Sequence, residues 1–287
     1  MKLKCILFFC WATAALAQTE PIQPKLHFRE IIDILASDSL KGRMPGSPEI
    51  DVALDYIRNE LLPLAGLKSK VQQFTFLLDD HSFSAKNCYS FLNNHRDSTI
   101  IIGAHYDHIG LGGALSKSIG IEGIHNGADD NASGVAMAIQ LACQPELRHL
   151  DYNVLFVFYS GHELGLFGSD RFVQEILLRK RKFKNVKTIL NFDMIGRLSP
   201  IGHELYCAKL NTSKELPLSD ELQVKWMDPG VLERLDTKHY LIFNAPTYNF
   251  TTGMHVDYHK VSDDAQYINF NGMEKTLIYL LNFLQQL

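Results

Sequence analysis

Ser98-Thr99-Ile100-Ile101-Ile102-Gly103-Ala104 runs without a break into His105-Tyr106-Asp107-His108. A charge-free run of this length predicts a strand buried on both faces, as in parallel sheets covered by helices. The polar tetrapeptide then falls just past the strand's C-terminal end, where α/β sheets place their sites. The same arrangement recurs along the chain. Asn153 to Tyr159 leads into Ser160-Gly161-His162-Glu163, Thr188 to Phe192 into Asp193, and Tyr248 to Thr252 into His255-Val256-Asp257-Tyr258-His259.

Around these strands, apolar spacing predicts helices from His27 to Leu35, Pro48 to Leu62, Gly134 to Cys143, Ser169 to Arg179 and Gly272 to Leu287. Val71 to Leu77 and Cys88 to Leu92 read as further strands, and Pro200 to Thr247 reads as irregular. Strand–helix alternation of this kind predicts an α/β fold with a mixed, mostly parallel central sheet flanked by helices on both faces.

The 287 residues are 46% hydrophobic and 21% charged, which excludes disordered, collagen-like and polybasic classes. Lys2 and Lys4, the apolar run from Cys5 to Leu16 and the small Ala17 have the order of a secretory signal, residues 1–17. That leaves 18–287 as a single domain, with no stretch suited to crossing a membrane. Loss of the two lysines takes the net charge from -4 to -6, which disfavours nucleic acid as a partner. A secreted or periplasmic protein is expected. Cys88, Cys143 and Cys207 would remain, an odd set that allows at most one disulfide, and the apolar neighbours of Cys88 and Cys143 favour buried free thiols there. The basic cluster Arg179-Lys180-Arg181-Lys182 reads as the solvated end of a helix.

Five strand ends or adjoining loops thus deliver His, Asp, Glu, Asp and His, the second from Asn126-Gly127-Ala128-Asp129-Asp130-Asn131. Two imidazoles and three carboxylates suit zinc or another borderline divalent ion. If one carboxylate bridges, five side chains give each of two metals three ligands and an open position. Without cations, converging carboxylates would repel one another. A one-zinc His-Glu-x-x-His helix is excluded because Leu166 stands where the second histidine must be, and no Gly-x-Ser-x-Gly elbow or phosphate-binding loop occurs.

The runs Gly103 to His108, Asn126 to Gly134, Glu163 to Ser169, Asn191 to Arg197 and Thr252 to His259 resemble the co-catalytic two-zinc aminopeptidase family. This family includes bacterial leucyl aminopeptidases, with glutaminyl cyclases and glutamate carboxypeptidase as relatives. The resemblance implies a zinc-exopeptidase-like fold and two Zn2+ ions, one held by His105, Asp129 and Asp193 and the other by Asp129, Glu163 and His259. Asp129 would bridge, and Asp130 follows it where the family often has a cis peptide. Asp107 resembles the carboxylate that orients a metal-bound imidazole.

Two positions depart from the family's pattern. His162 stands where the family has its glutamate general base, and Lys238, in Thr237-Lys238-His239, stands where it has an acid near the substrate. The expected activity is that of an exported metallo-aminopeptidase acting on peptide substrates. A water shared by the zincs would attack the first peptide carbonyl, with His162 as base. The alternative is a catalytically silent relative that binds metal and peptide or amine ligands without turnover. Oligomeric state and side-chain preference are not legible.

Overall fold

The computed structural model describes residues 27–179 and 185–287. The expected signal, residues 1–17, and positions 180–182 of the basic cluster lie outside the described residues.

Eight strands form one sheet in the order β1-β2-β4-β3-β5-β8-β6-β7. They are β1 (Ser69–Leu78), β2 (His81–Leu92), β3 (Thr99–His105), β4 (Asn153–Tyr159), β5 (Val186–Phe192), β6 (Glu204–Leu210), β7 (Gln223–Trp226) and β8 (Thr247–Thr251). β4, β3, β5 and β8 are parallel neighbours, so their C-terminal ends share one edge. β1 and β2 form an antiparallel hairpin on one flank, and β6 runs antiparallel to β8 on the other. Every residue of β3, β4 and β8 is buried, as their runs without acidic or basic residues before His105 predict.

The two-residue period of the strands divides the core between the sheet's faces. Ile100, Ile102 and Ala104 pack with Phe156, Phe192 and Phe250 against α1 (Phe28–Leu35), α2 (Pro48–Tyr56), α3 (Gly134–Ala142) and a C-terminal helix, Phe270–Gln285. Ile101, Leu155, Val157 and Ile189 face the other way, against Phe172, Val173 and Leu177 and against Tyr240. The fold is therefore the mixed α/β sheet, covered on both faces, that the strand pattern predicts.

Local signals explain where the helices begin. Ser47 accepts the Ile50 amide at 3.2 Å with Pro48 in the first turn, and Asn269 accepts the Gly272 amide at 2.9 Å. The segment expected to be irregular, 200–247, contains β6 and β7 together with two 3-10 stretches, Pro229–Arg234 and Asp236–Phe243. β6 escapes the sequence reading because polar residues interrupt it. Only Leu205, Cys207 and Ala208 of its seven residues are buried. Cys88 and Cys207 are buried free thiols, and Cys143 is a partly buried one.

Among the described residues no helix is long and apolar enough to cross a membrane.

Candidate metal centre

The C-terminal edge of the four parallel strands gathers the polar residues. His105 is the last residue of β3, Asp193 follows β5, His162 and Glu163 lie in the turn after β4, and His259 lies in the loop after β8. Asp130 reaches between them from the loop that opens α3. Its Oδ1 is 3.4 Å from His105 Nε2, and its Oδ2 is 3.3 Å from His259 Nε2. Asp193 Oδ1 lies 3.8 Å from His105 Nε2, and Glu163 Oε2 lies 3.1 Å from His259 Nε2.

These separations suit ligands sharing an ion. Donors around a tetrahedral ion bound at roughly 2.0 Å stand about 3.3 Å from one another. The expectation that Asp129 bridges is corrected by this geometry. Asp129 is buried on the far side of the loop, where its Oδ1 accepts the Gly196 amide at 2.6 Å and its Oδ2 lies 3.2 Å from His255 Nε2. Of the two adjacent acids, Asp130 is the one whose carboxylate lies between the imidazoles. The cis peptide lies between Asp130 and Asn131, one residue beyond the expected place.

The imidazoles are set to coordinate. His105 Nδ1 donates to the Asp107 carbonyl at 3.2 Å, and His259 Nδ1 to the Leu115 carbonyl at 3.1 Å. A carbonyl only accepts, so in the neutral ring Nε2 carries the lone pair. Both Nε2 atoms are buried without a hydrogen-bond partner, which is what an ion in the centre would satisfy. The donor set of nitrogen and oxygen atoms fits zinc or a similar ion.

The backbone around the ligands is tied down. Asp263 Oδ2 accepts the amides of Asp129 and Asp130, each at 3.0 Å, and Arg197 donates to its Oδ1 at 3.3 Å. Asn131 donates to the Phe192 carbonyl at 2.9 Å and accepts from the Gly134 and Met194 amides at 3.1 Å. A Cβ at Gly134 would come within 2.6 Å of the Phe192 carbonyl oxygen and closer still to the Asn131 side chain. Gly134→Ala is therefore expected to lower stability by about 1–3 kcal/mol through overpacking. Urea unfolding should show a lower midpoint at constant slope; an unmoved midpoint would mean that the loop yields freely.

Asp107 is fully buried, and its carboxylate accepts the amides of His162 at 3.3 Å and Glu163 at 3.2 Å. It thus shapes the turn that carries those two residues, while its own carbonyl, not its carboxylate, is the nearer partner of His105. Burial pushes its carboxyl up to about 6, against the pull of His105 and His162. Glu163 is also buried, yet His108 and His259 hold its carboxyl well below the usual range. Burial and His162 push His105 down, and Asp193 and Asp130 more than offset them, leaving it at about 9. An anionic pocket that keeps its imidazoles protonated in this way releases those protons when a cation enters.

The structure adds residues that the sequence reading did not assign. His108 is buried with its Nδ1 2.8 Å from Glu163 Oε1, and with Asp130, Glu163 and His259 it completes a group whose ligand atoms lie within 4.8 Å of one another. His162, His105 and Asp193 form a second such group. Asp236 is fully buried and its Oδ2 lies 2.9 Å from His162 Nδ1. Asp236 lies two residues before Lys238, which is itself exposed. Arg43 is buried beneath the centre, where it donates only to backbone carbonyls.

The sequence profile of Peptidase family M28 matches residues 88–284. Leucine aminopeptidase 1 of Pyrenophora teres is 27% identical over 186 residues, 63% of this chain and 42% of that protein. The alkaline phosphatase isozyme conversion protein of Escherichia coli is 26% identical over 178 residues, 58% of this chain and 49% of that protein. The chain thus spans under half the length of these relatives. Among solved structures, a glutaminyl cyclase of Porphyromonas gingivalis aligns with a TM-score of 0.71 at 14% identity, over 90% of this chain and 96% of that one. BSAP, a zinc aminopeptidase from Bacillus subtilis, aligns with a TM-score of 0.69 at 13% identity, over 91% and 94%. At these identities the shared property is the fold.

Proposed function

The chain belongs to peptidase family M28, and from that premise we propose that it is an exported aminopeptidase that uses two zinc ions to hydrolyse the N-terminal bond of peptide substrates. The observation that carries the reading is Asp130, whose two carboxylate oxygens face separate half-sites. His105 and Asp193 would complete one half-site, and Glu163 and His259 the other. Relatives named as aminopeptidases support the substrate class, and the leader-like residues 1–17 support export.

When bound, two divalent ions would acidify a water and polarise the substrate carbonyl. The chain's own residues supply the rest. His162, with Nε2 4.0 Å from Asp193 Oδ2, stands beside the half-site of His105. It would take a proton from the attacking water and return it to the departing amine nitrogen. Asp107 holds the backbone of His162 and Glu163, so that base and ligand keep one geometry.

The test is turnover of aminoacyl 4-nitroanilides by the zinc-loaded 18–287 protein, with and without chelator. Two zincs per chain and turnover abolished by chelation are expected. Turnover that survives complete removal of metal would sink the proposal. Bound zinc without turnover on any substrate would favour the silent metal-binding relative.

A further inference from the structure

We propose that Asp236 is the positioning residue of this reaction, fixing His162 in the one tautomer and ring orientation that can accept a proton. The proposal rests on the reading of His162 as base. An imidazole differs from a carboxylate base in having two inequivalent nitrogens, of which the neutral ring protonates one. A histidine base therefore requires a second group to decide which nitrogen faces the reaction. Asp236 is placed to do this: it is fully buried, and its Oδ2 lies 2.9 Å from Nδ1 of His162. An ionised carboxylate only accepts, so Nδ1 carries the hydrogen and, in the neutral ring, Nε2 carries the lone pair.

The rest of the ring's surroundings leave its orientation to Asp236. The backbone of His162 is fixed by Asp107 Oδ1 on its amide at 3.3 Å, and by the Gly165 and Leu166 amides on its carbonyl, both at 3.0 Å. Those bonds hold the Cα but not the ring. The ring's face lies on that of His105, centroids 3.7 Å apart and planes 4° from parallel. Stacking of this kind fixes the plane without selecting a nitrogen.

The same stacking argues against His162 as a fourth ligand beside His105. Two imidazoles on one tetrahedral ion splay apart, with centroids roughly 5 Å from each other. Rings stacked at 3.7 Å do not have that arrangement. His162 Nε2 thus stands next to the ligand sphere, where the proton of a water being activated at the half-site is within reach.

In the reaction, a proton passes from the attacking water oxygen to His162 Nε2 as the new C–O bond forms. The imidazolium then carries hydrogen on both nitrogens, with Asp236 balancing its charge. When the C–N bond breaks, the Nε2 proton goes to the amine nitrogen and the original tautomer is restored. Asp236 remains ionised throughout.

The test is Asp236→Asn in the zinc-loaded protein. It should lower kcat by about 10²–10⁴-fold, the range in which wrong-tautomer and general-base losses fall, with KM changed less than about threefold. Zinc content and circular dichroism should match the parent. Two-bond 15N–1H correlation of the His162 ring should show Nδ1 protonated in the parent and lose that pattern in the variant. In a His162→Glu background, Asp236→Asn should cost nothing or restore activity, since the base then needs no tautomer partner and two acids no longer face each other. A kcat within threefold of the parent with the Nδ1–H pattern intact overturns the proposal, as does loss of zinc together with kcat. A parent that shows the Nδ1–H pattern and binds zinc but turns over nothing overturns the peptidase reading instead, and the catalytic role of Asp236 with it.

Discussion

Asp130→Asn is expected to leave a folded protein that holds neither metal and has lost activity by on the order of 10³-fold or more, since each ion supplies several kcal/mol of transition-state stabilisation. Both Asp130 oxygens face ligand positions, 3.4 Å from His105 Nε2 and 3.3 Å from His259 Nε2. A carboxamide keeps the shape but replaces one oxygen with an NH₂ group that repels a cation. Asp129→Asn provides the contrast. Its carboxylate is occupied by the Gly196 amide and the neighbourhood of His255, so the change should cost about 1–3 kcal/mol of stability while both metals stay bound. Metal analysis of the two variants beside their unfolding midpoints separates these outcomes. If Asp129→Asn sheds zinc and Asp130→Asn retains it, the bridge has been assigned to the wrong residue.

That contrast shows what one chain's sequence can and cannot disclose. Asp129 and Asp130 have identical ligand chemistry, and which one enters the centre depends on how the backbone turns after Gly127, whose φ is +59°. No spacing rule separates adjacent acids at a bend. β3 and β4 were legible because burial on both faces demands an uninterrupted apolar run, a signal contained within seven residues. β6 was not, because it lies towards the edge of the sheet and keeps Glu204 and Lys209 among its residues. The ends of the parallel strands disclosed His105, Glu163, Asp193 and His259 because topology alone brings those ends together. Asp236 lies 74 residues from His162 in the chain, in a 3-10 stretch with no periodicity of its own. Pairing over that distance is a property of the fold and leaves no local pattern in the chain.

Arg43 is another case of such pairing, 63 to 84 residues along the chain, and has the largest expected effect on stability. Its guanidinium donates to the carbonyls of Tyr106 at 2.8 Å, Asn126 at 2.7 Å and Gly127 at 3.0 Å, and to that of Leu35. One side chain thereby joins the end of α1, the exit of β3 and the start of the Asp130 loop. Burial pushes its pKa down to about 10, partly offset by the charges of Asp107, Asp130, Asp263 and Glu163, so it remains a cation at neutral pH. Arg43→Met keeps most of the volume but strands these carbonyls in the interior. Loss of hydrogen bonds to a buried charge puts the cost at about 3–5 kcal/mol, a large part of the 5–15 kcal/mol typical of a folded domain. Arg43→Lys should recover little, because one ammonium lacks the planar fork that reaches carbonyls on several sides. The penalty should also be greater after chelation than with zinc bound. Bound cations neutralise the carboxylates that favour the guanidinium, so its charge contributes more when they are gone. Urea unfolding of both variants, with and without chelator, measures the difference; a cost below about 1 kcal/mol in the chelated protein would show that water or loop movement satisfies the carbonyls, and that Arg43 does not clamp the centre.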